Sequence, residues 1–135
     1  MGAEFVRFAA VGAAGFAVDA GVLTLLVSLL GSNVYAARAV SFAVAVFVTW
    51  LINRRWTFAN RGVGPVPSAG AEYARYVAVQ VTGALANLGV FVVVLAIEPT
   101  LVRYPVLPLA FGAVAGLAVN FVGARTWVFA HRPTR

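Results

Sequence analysis

The most constraining feature of this sequence is a stretch of 22 residues, Tyr76 to Ile97, without a charged side chain. An α-helix needs about 20 predominantly apolar residues to cross a hydrocarbon core about 30 Å thick. The stretch contains the valines Val92 to Val94, which in water would favour a strand. Lipid offers the backbone no water to bond with, so we predict that this segment is a membrane-spanning helix.

Three further segments have the same character and take up most of the chain. The predicted helices run at about residues 8–30, 34–56, 73–97 and 105–128, with a cytoplasmic loop at 59–71 that is rich in glycine and proline. The sequence is 62% hydrophobic and 10% charged, whereas soluble domains have about 25% charged residues. We therefore predict an all-α integral membrane protein, a single domain over residues 1–135, without a separate soluble catalytic domain.

The ten basic residues are all arginines, and they are unevenly distributed about these spans. Only Arg38 and Arg103 fall on one side of the four-helix arrangement. The other side carries Arg7, Arg54, Arg55, Arg61, Arg75, Arg125, Arg132 and Arg135. The positive-inside rule makes this second side cytoplasmic, with both termini on it. Because the arginines flank apolar runs, we expect contacts with membrane lipids and no nucleic-acid partner. Trp56, Trp127, Tyr73 and Tyr76 are expected in the aromatic belt at the cytoplasmic interface.

A weak internal repeat divides the chain into two halves. An offset of 68 aligns Arg7, Val11, Gly15, Asp19, Gly21 and Val22 with Arg75, Val79, Gly83, Asn87, Gly89 and Val90. An offset of 71 aligns Arg54, Trp56 and Phe58 with Arg125, Trp127 and Phe129. We interpret each half as a helical hairpin that enters from the cytoplasm, so the two repeats would be parallel.

Asp19 is the first candidate functional residue, because it lies near the middle of the first predicted helix. A carboxylate at such a depth costs about 2.5–3.5 kcal/mol on insertion scales, so it should face a partner or a cavity. Its i+4 spacing from Gly15 places both residues on one helical face. Asp19 could bind substrate or carry a proton, or it could only hold helices together through hydrogen bonds.

The amides Asn87 and Asn120 are the corresponding polar candidates in the second half. Each could bond to sugar hydroxyls or to a neighbouring helix. Together with Asp19 they suggest a polar seam through the bundle. Gly112 and Gly116, four residues apart, form a motif for close helix packing.

Several arginines could bind phosphate, since a guanidinium meets phosphate in a bidentate fork. Arg54 and Arg55 end the second predicted helix, and topology anchoring is the alternative interpretation. Arg38 lies about one turn into that helix on the sparsely charged side, where it could contact phosphate or pair with Asp19 or Glu98. No metal-ligand cluster or activated nucleophile is recognisable, so we expect a protein that is not an enzyme and has no metal or cofactor.

The segment Asn53-Arg54-Arg55-Trp56-Thr57-Phe58 is the most specific motif in the chain. With Arg7-Phe8, Ala37-Arg38-Ala39 and the echo from Asn120-Phe121 to Phe129, it closely resembles the GtrA-like family of small bacterial membrane proteins. The resemblance implies a flippase in the cytoplasmic membrane of a bacterium that translocates a polyprenyl-phosphate-linked monosaccharide for cell-surface polysaccharide synthesis. It also implies a membrane glycosyltransferase as partner. The segment Asn53 to Arg55 then belongs to the substrate site. Arg125 matches less fully, because Ala124 stands in place of Asn53 and Thr126 in place of an arginine.

Two other functions fit the same residues. A proton-coupled exporter of small cations, similar to the small multidrug-resistance family, would also have four helices and an acidic residue in the first. A scaffold that anchors the glycosyltransferase would need only the basic face and the loop. Four helices make a thin wall for the polar path of a flippase, so a homodimer or larger homo-oligomer is expected.

Overall fold

The computed structural model describes residues 1–60 and 67–130. Its helices are α1 (Gly2–Thr24), α2 (Val34–Ile52), α3 (Ala69–Ile97) and α4 (Val106–Gly123). π-helical turns extend three of them, at Leu25–Leu29, Asn53–Thr57 and Ala124–Val128, and a 3₁₀ turn lies at Pro99–Arg103. Most of the predicted loop 59–71, with Arg61, lies outside the described residues, as do Arg132 and Arg135.

Each of the four helices is long and apolar enough to cross a membrane. Large apolar side chains lie exposed along all of them, for example Phe16 at 75%, Leu85 at 63% and Phe111 at 58%. So much exposed apolar surface would be unfavourable in water and suits a lipid environment. The described residues contain helices and no strand. The prediction of an all-α, multi-pass membrane protein with four spans is confirmed.

Two helices begin earlier than the hydropathy pattern predicted, because polar residues can occupy a first turn. α1 begins at Gly2 and not near residue 8, and α3 begins at Ala69 and not near residue 73. Ser68 caps α3 by accepting a hydrogen bond from the Ala71 amide at 3.2 Å. The connection before α3 is therefore shorter than the predicted loop.

The first hairpin pairs α1 with α2, and the two helices are joined by a short turn. Gly31 has a φ of 62° there, a left-handed conformation that glycine adopts without steric cost. Asn33 caps α2 by accepting from the amides of Tyr35 and Ala36. We call this the turn end of the hairpin, and the end with Gly2 and Thr57 the open end. Buried positions along the interface include Phe8, Val11, Gly15, Ala37, Ser41, Ala45 and Thr49.

The second hairpin pairs α3 with α4 through the 3₁₀ turn that follows Glu98. The Glu98 carboxylate accepts from the Thr100 amide at 3.4 Å and so caps this turn. Its open end contains Ala69 and Val128. Glycines at four positions bring the two helices close together, and a methyl group added at any of them would overlap the facing helix: Gly83, Gly112, Gly116 and Gly123. Small residues of this kind are the usual basis of close helix contacts in membranes.

Candidate functional site

Asp19 and Arg38 form an ion pair across the first hairpin. Arg38 Nη1 donates a hydrogen bond to Asp19 Oδ2. The Asp19 side chain is 14% exposed, whereas that of Arg38 is 55% exposed. Asp19 Oδ1 is buried and has no hydrogen-bond partner among the described residues. Of the partners that the sequence allowed for Arg38, the structure therefore selects Asp19; Glu98 caps its own turn.

Ser41 lies one turn from Arg38 and was missed by the sequence analysis. It is fully buried, and its hydroxyl donates to the Arg38 carbonyl at 3.1 Å. The spacing of Arg38 and Ser41 could have indicated this contact, since a serine hydroxyl readily bonds to a backbone carbonyl three or four residues earlier. This hydrogen bond connects the Ser41 side chain to the backbone of Arg38.

Asn53, Arg54 and Arg55 lie together in the π-helical turn at the open end of the first hairpin. Asn53 is only 1% exposed, and its Oδ1 accepts from the Thr57 hydroxyl at 2.7 Å. Arg54 is half-buried, with its guanidinium 5.3 Å from the centre of the Trp50 ring, and Arg55 is exposed. The turn thus presents Arg55 outward and holds Asn53 inside the hairpin.

The open ends of the two hairpins carry the same contacts. Arg7 lies 5.6 Å from the Trp56 ring in the first, and Arg75 lies 5.8 Å from the Trp127 ring in the second. Both are within the range of cation–π attraction. The exposed Trp56 and Trp127 suit the predicted interfacial belt.

An aromatic pair accompanies each of these contacts at the same open end. Phe8 packs on Phe58 at 6.1 Å between ring centres, and Tyr76 packs on Phe129 at 6.0 Å, each with an interplanar angle of 55°. Tyr76 is 1% exposed and packs in the core of its hairpin, and its predicted depth near the interface stays a prediction. The paired positions differ by the offsets 68 and 71 of the sequence repeat. The parallel arrangement of the halves stays a prediction.

Asn87 and Asn120 are both placed at the α3–α4 interface. A methyl group on Gly83 would overlap the Asn120 side chain, and one on Gly116 would come within 3.1 Å of the Asn87 Cβ. The Asn120 side chain of α4 therefore lies against Gly83 of α3, and the Asn87 side chain of α3 lies against Gly116 of α4. Asn120 Oδ1 is buried without a partner in the described part of the chain.

Arg125 is half-buried in the π-helical turn that ends α4. It occupies the position in the second hairpin that Arg54 occupies in the first. Within residues 1–60 and 67–130, no group of three or more His, Asp or Glu side chains could hold a metal ion.

Among the described residues the geometry thus gives the Asp19–Arg38 ion pair, two half-buried amides at the α3–α4 interface, and arginines at the open ends of both hairpins. The family model for the GtrA/DPMS transmembrane domain matches residues 7–129, which include most of α1 and all of the other three helices. This match confirms the predicted family, and it supports a role in the handling of lipid-linked sugars. The chain therefore belongs to the GtrA/DPMS transmembrane-domain family.

Proposed function

We propose that the protein is a flippase for a polyprenyl-phosphate-linked monosaccharide used in cell-surface polysaccharide synthesis. It would act without catalysis in the cytoplasmic membrane of a bacterium, with both termini in the cytoplasm. The observation that carries this proposal is the Asp19–Arg38 pair, which joins a mostly buried carboxylate to an exposed guanidinium within two predominantly apolar helices. Ionisable residues in membrane spans generally mark the paths of polar substrates.

The cargo of such a flippase has three parts with different needs. Its phosphate needs cationic hydrogen-bond donors, its sugar needs polar groups of either kind, and its prenyl chain can stay in lipid. Arg54 and Arg55 at the open end and Arg38 near the turn end supply guanidinium groups, which suit phosphate. Asp19, Asn87, Asn120 and Asn53 supply oxygens and amides for sugar hydroxyls.

Arg125 would bind phosphate at the open end of the second hairpin, as Arg54 would at the open end of the first. A homo-oligomer would supply the additional wall that a polar path in so small a protein needs. A membrane glycosyltransferase that loads the carrier would be its partner and the source of its substrate.

The ion pair also distinguishes this proposal from a cation exporter. An exporter would use the Asp19 carboxylate to hold its cargo. Arg38 already supplies a positive charge at that carboxylate, so a cationic substrate would be repelled there. The net charge of +6 likewise favours anionic cargo.

Reconstitution of the purified chain alone in liposomes tests the proposal. The liposomes would contain fluorescent undecaprenyl-phosphate glucose in both leaflets, and a membrane-impermeant quencher would be added outside. Without protein about half of the signal should be protected, since the inner leaflet is inaccessible to the quencher. With a flippase that protected half should also be lost, at a rate proportional to the number of protein molecules.

A matched dye-leakage assay shows whether the liposomes stay sealed. Persistent protection in sealed liposomes would contradict the flippase. If exchange then appeared only after the glycosyltransferase was added, the scaffold would be the better description.

A further inference from the structure

The Asp19–Arg38 ion pair is incomplete on both sides. An arginine and a carboxylate can form two parallel hydrogen bonds, but here only Nη1 and Oδ2 are joined. Among the described residues this is the single hydrogen bond of the Arg38 guanidinium, which has five N–H donors. Asp19 Oδ1 is buried and unpartnered. Both residues therefore keep unused hydrogen-bonding capacity: donors on the exposed arginine and an acceptor oxygen on the buried carboxylate, beside which only the Ser41 hydroxyl of the described residues offers a further neutral donor.

The first hairpin offers Asp19 no other nearby cation. Arg7 lies on the same helix but 12 positions away, a rise of about 18 Å, and Arg54 and Arg55 lie at the open end. The Ser41 hydroxyl donates to the Arg38 carbonyl and also lies within hydrogen-bonding reach of the Asp19 carboxylate. If Arg38 took another anion, Ser41 would be the one neutral donor left near Asp19 in the described part of this hairpin, and hydroxyl groups of the ligand would supply the further donors that the carboxylate needs.

The second hairpin shows that helix packing does not require this charge pair. The offset of 68 aligns Asp19 with Asn87, and the offset of 71 aligns Arg38 with Leu109. Asn87 packs against Gly112 and Gly116, and Leu109 is exposed. A neutral pair at the matching positions therefore supports a closely packed hairpin. The charges of the first hairpin are free to serve a ligand.

We propose that Asp19 and Arg38 form a selectivity site that distinguishes sugar-loaded carrier lipid from bare carrier phosphate. This inference rests on the proposed function. Arg38 binds the phosphate with the donors that the pair leaves open, and Asp19 accepts hydrogen bonds from the sugar hydroxyls through its unpartnered oxygen. The loaded carrier is a phosphodiester with one negative charge and brings hydroxyl donors.

Bare carrier phosphate is a monoester that carries about −1.5 to −2 charges at neutral pH. It brings no sugar hydroxyl, and it adds negative charge beside a buried carboxylate. Repulsion by Asp19 therefore rejects it, as expected for specificity that combines an attractive and a repulsive element. A flippase with this site would not carry the unloaded lipid in place of its cargo.

Equilibrium binding of two probes to the full chain in lipid nanodiscs tests this site. The probes are undecaprenyl-phosphate glucose and undecaprenyl phosphate. We expect the wild type to prefer the glucose-bearing probe by about tenfold, equivalent to about 1.4 kcal/mol. Asp19→Asn should reduce the preference to below about threefold, mainly by tightening the binding of bare phosphate.

A second variant guards against a failure of Asp19→Asn to fold. Asp19→Asn combined with Arg38→Leu reproduces the residues of the second hairpin, and we expect it to fold and to bind both probes weakly with no preference. Glu98→Gln is the matched control, because it removes a carboxylate at the other turn end; it should keep the wild-type preference.

The two proposals fail in different ways. Wild-type preference for the glucose-bearing probe in either Asp19 variant would overturn the selectivity site. Equal binding of both probes by a wild-type protein that exchanges lipid-linked glucose would overturn it too, and would leave the flippase intact. Absence of lipid exchange by the wild type in sealed liposomes is the result that counts against the flippase itself.

Discussion

Gly112 and Gly116 both lie against backbone of α3, and the shorter distance at Gly112 makes it the least replaceable of the four contact glycines. A methyl group there would lie 2.6 Å from the Asn87 carbonyl oxygen, which cannot rotate away as a side chain can. The helices would have to separate locally. The sequence motif Gly112-x-x-x-Gly116 predicted a close helix contact, and the structure identifies α3 as the partner.

Gly112→Ala should therefore destabilise the second hairpin by about 1–3 kcal/mol, the range for overpacking a well-packed contact. Thermal unfolding of the purified protein in detergent measures the loss. Gly89→Ala is the matched control, since a methyl group there meets nothing within 4 Å. Equal unfolding temperatures for the two variants would contradict the contact.

Arg54 and Arg55 provide the second prediction at this scale. Replacing both with lysine keeps their charge but loses the planar fork. We expect unchanged membrane orientation and a fall in lipid exchange of about tenfold, as for the loss of one good charge-assisted hydrogen bond. Arg103→Lys at the opposite hairpin end is the control. Lipid exchange at the wild-type rate in the double lysine variant would contradict phosphate binding by these arginines and would leave them a role in topology alone.

At the scale of the element, both open ends include a π-helical turn, at Asn53–Thr57 and at Ala124–Val128. The Phe58 amide donates to the Asn53 carbonyl, and the Phe129 amide donates to the Ala124 carbonyl, each at 2.9 Å. These bonds span five residues and widen the helix by one residue. The wider turn accompanies the packing of Phe58 on Phe8 and of Phe129 on Tyr76.

Thr57→Val tests the side-chain bond that closes the first of these turns. Its hydroxyl is buried and donates to Asn53 Oδ1, so the change leaves a buried acceptor without this donor. The expected loss is about 1–3 kcal/mol of unfolding free energy. Thr82→Val is the control, because Thr82 is exposed and donates only to the Ala78 carbonyl of its own helix. A stability equal to that of the control would show that the Thr57 hydroxyl is dispensable.

Hydropathy predicted the helices well because the cost of placing polar backbone in lipid dominates every local preference. Even the valines of α3 were correctly predicted as helical. Helix starts were predicted less well, since Ser68 and the residues before Phe8 are compatible with both loop and helix. The π-helical turns could not be predicted, because a widened turn is made of the same kinds of residue as the α-helix that it extends.

The candidate site likewise has one part that the sequence predicted and another that only the structure shows. Asp19 was identified from its depth in an apolar span, which needs only the sequence. Its partner is 19 positions away, and antiparallel packing of α1 on α2 decides which of the possible partners comes within reach. The resemblance grouped Asn53 with Arg54 and Arg55 in the substrate site, but only the structure shows that Asn53 is buried and accepts a hydrogen bond from the Thr57 hydroxyl one turn later.

For the whole molecule, the arginine distribution makes a prediction that concerns the membrane. Reporter fusions after Ala59 and after Arg135 should give a cytoplasmic signal, and fusions at Gly31 and Thr100 a signal from the other side. Alkaline phosphatase and green fluorescent protein are suitable reporters, since each is active on only one side. A fusion at Arg135 that reports the outside would contradict both the number of spans and the orientation.

All three tryptophans of the sequence have an arginine guanidinium over the ring: Arg54 over Trp50, Arg7 over Trp56 and Arg75 over Trp127. Indole emission responds to a charge held close to the ring, so the ultraviolet fluorescence of the unlabelled protein reports on those three contacts. A phosphate that drew an arginine off its ring would change the emission spectrum. The chain therefore carries its own optical sensor for anions, and stopped-flow spectroscopy could time their arrival without a dye.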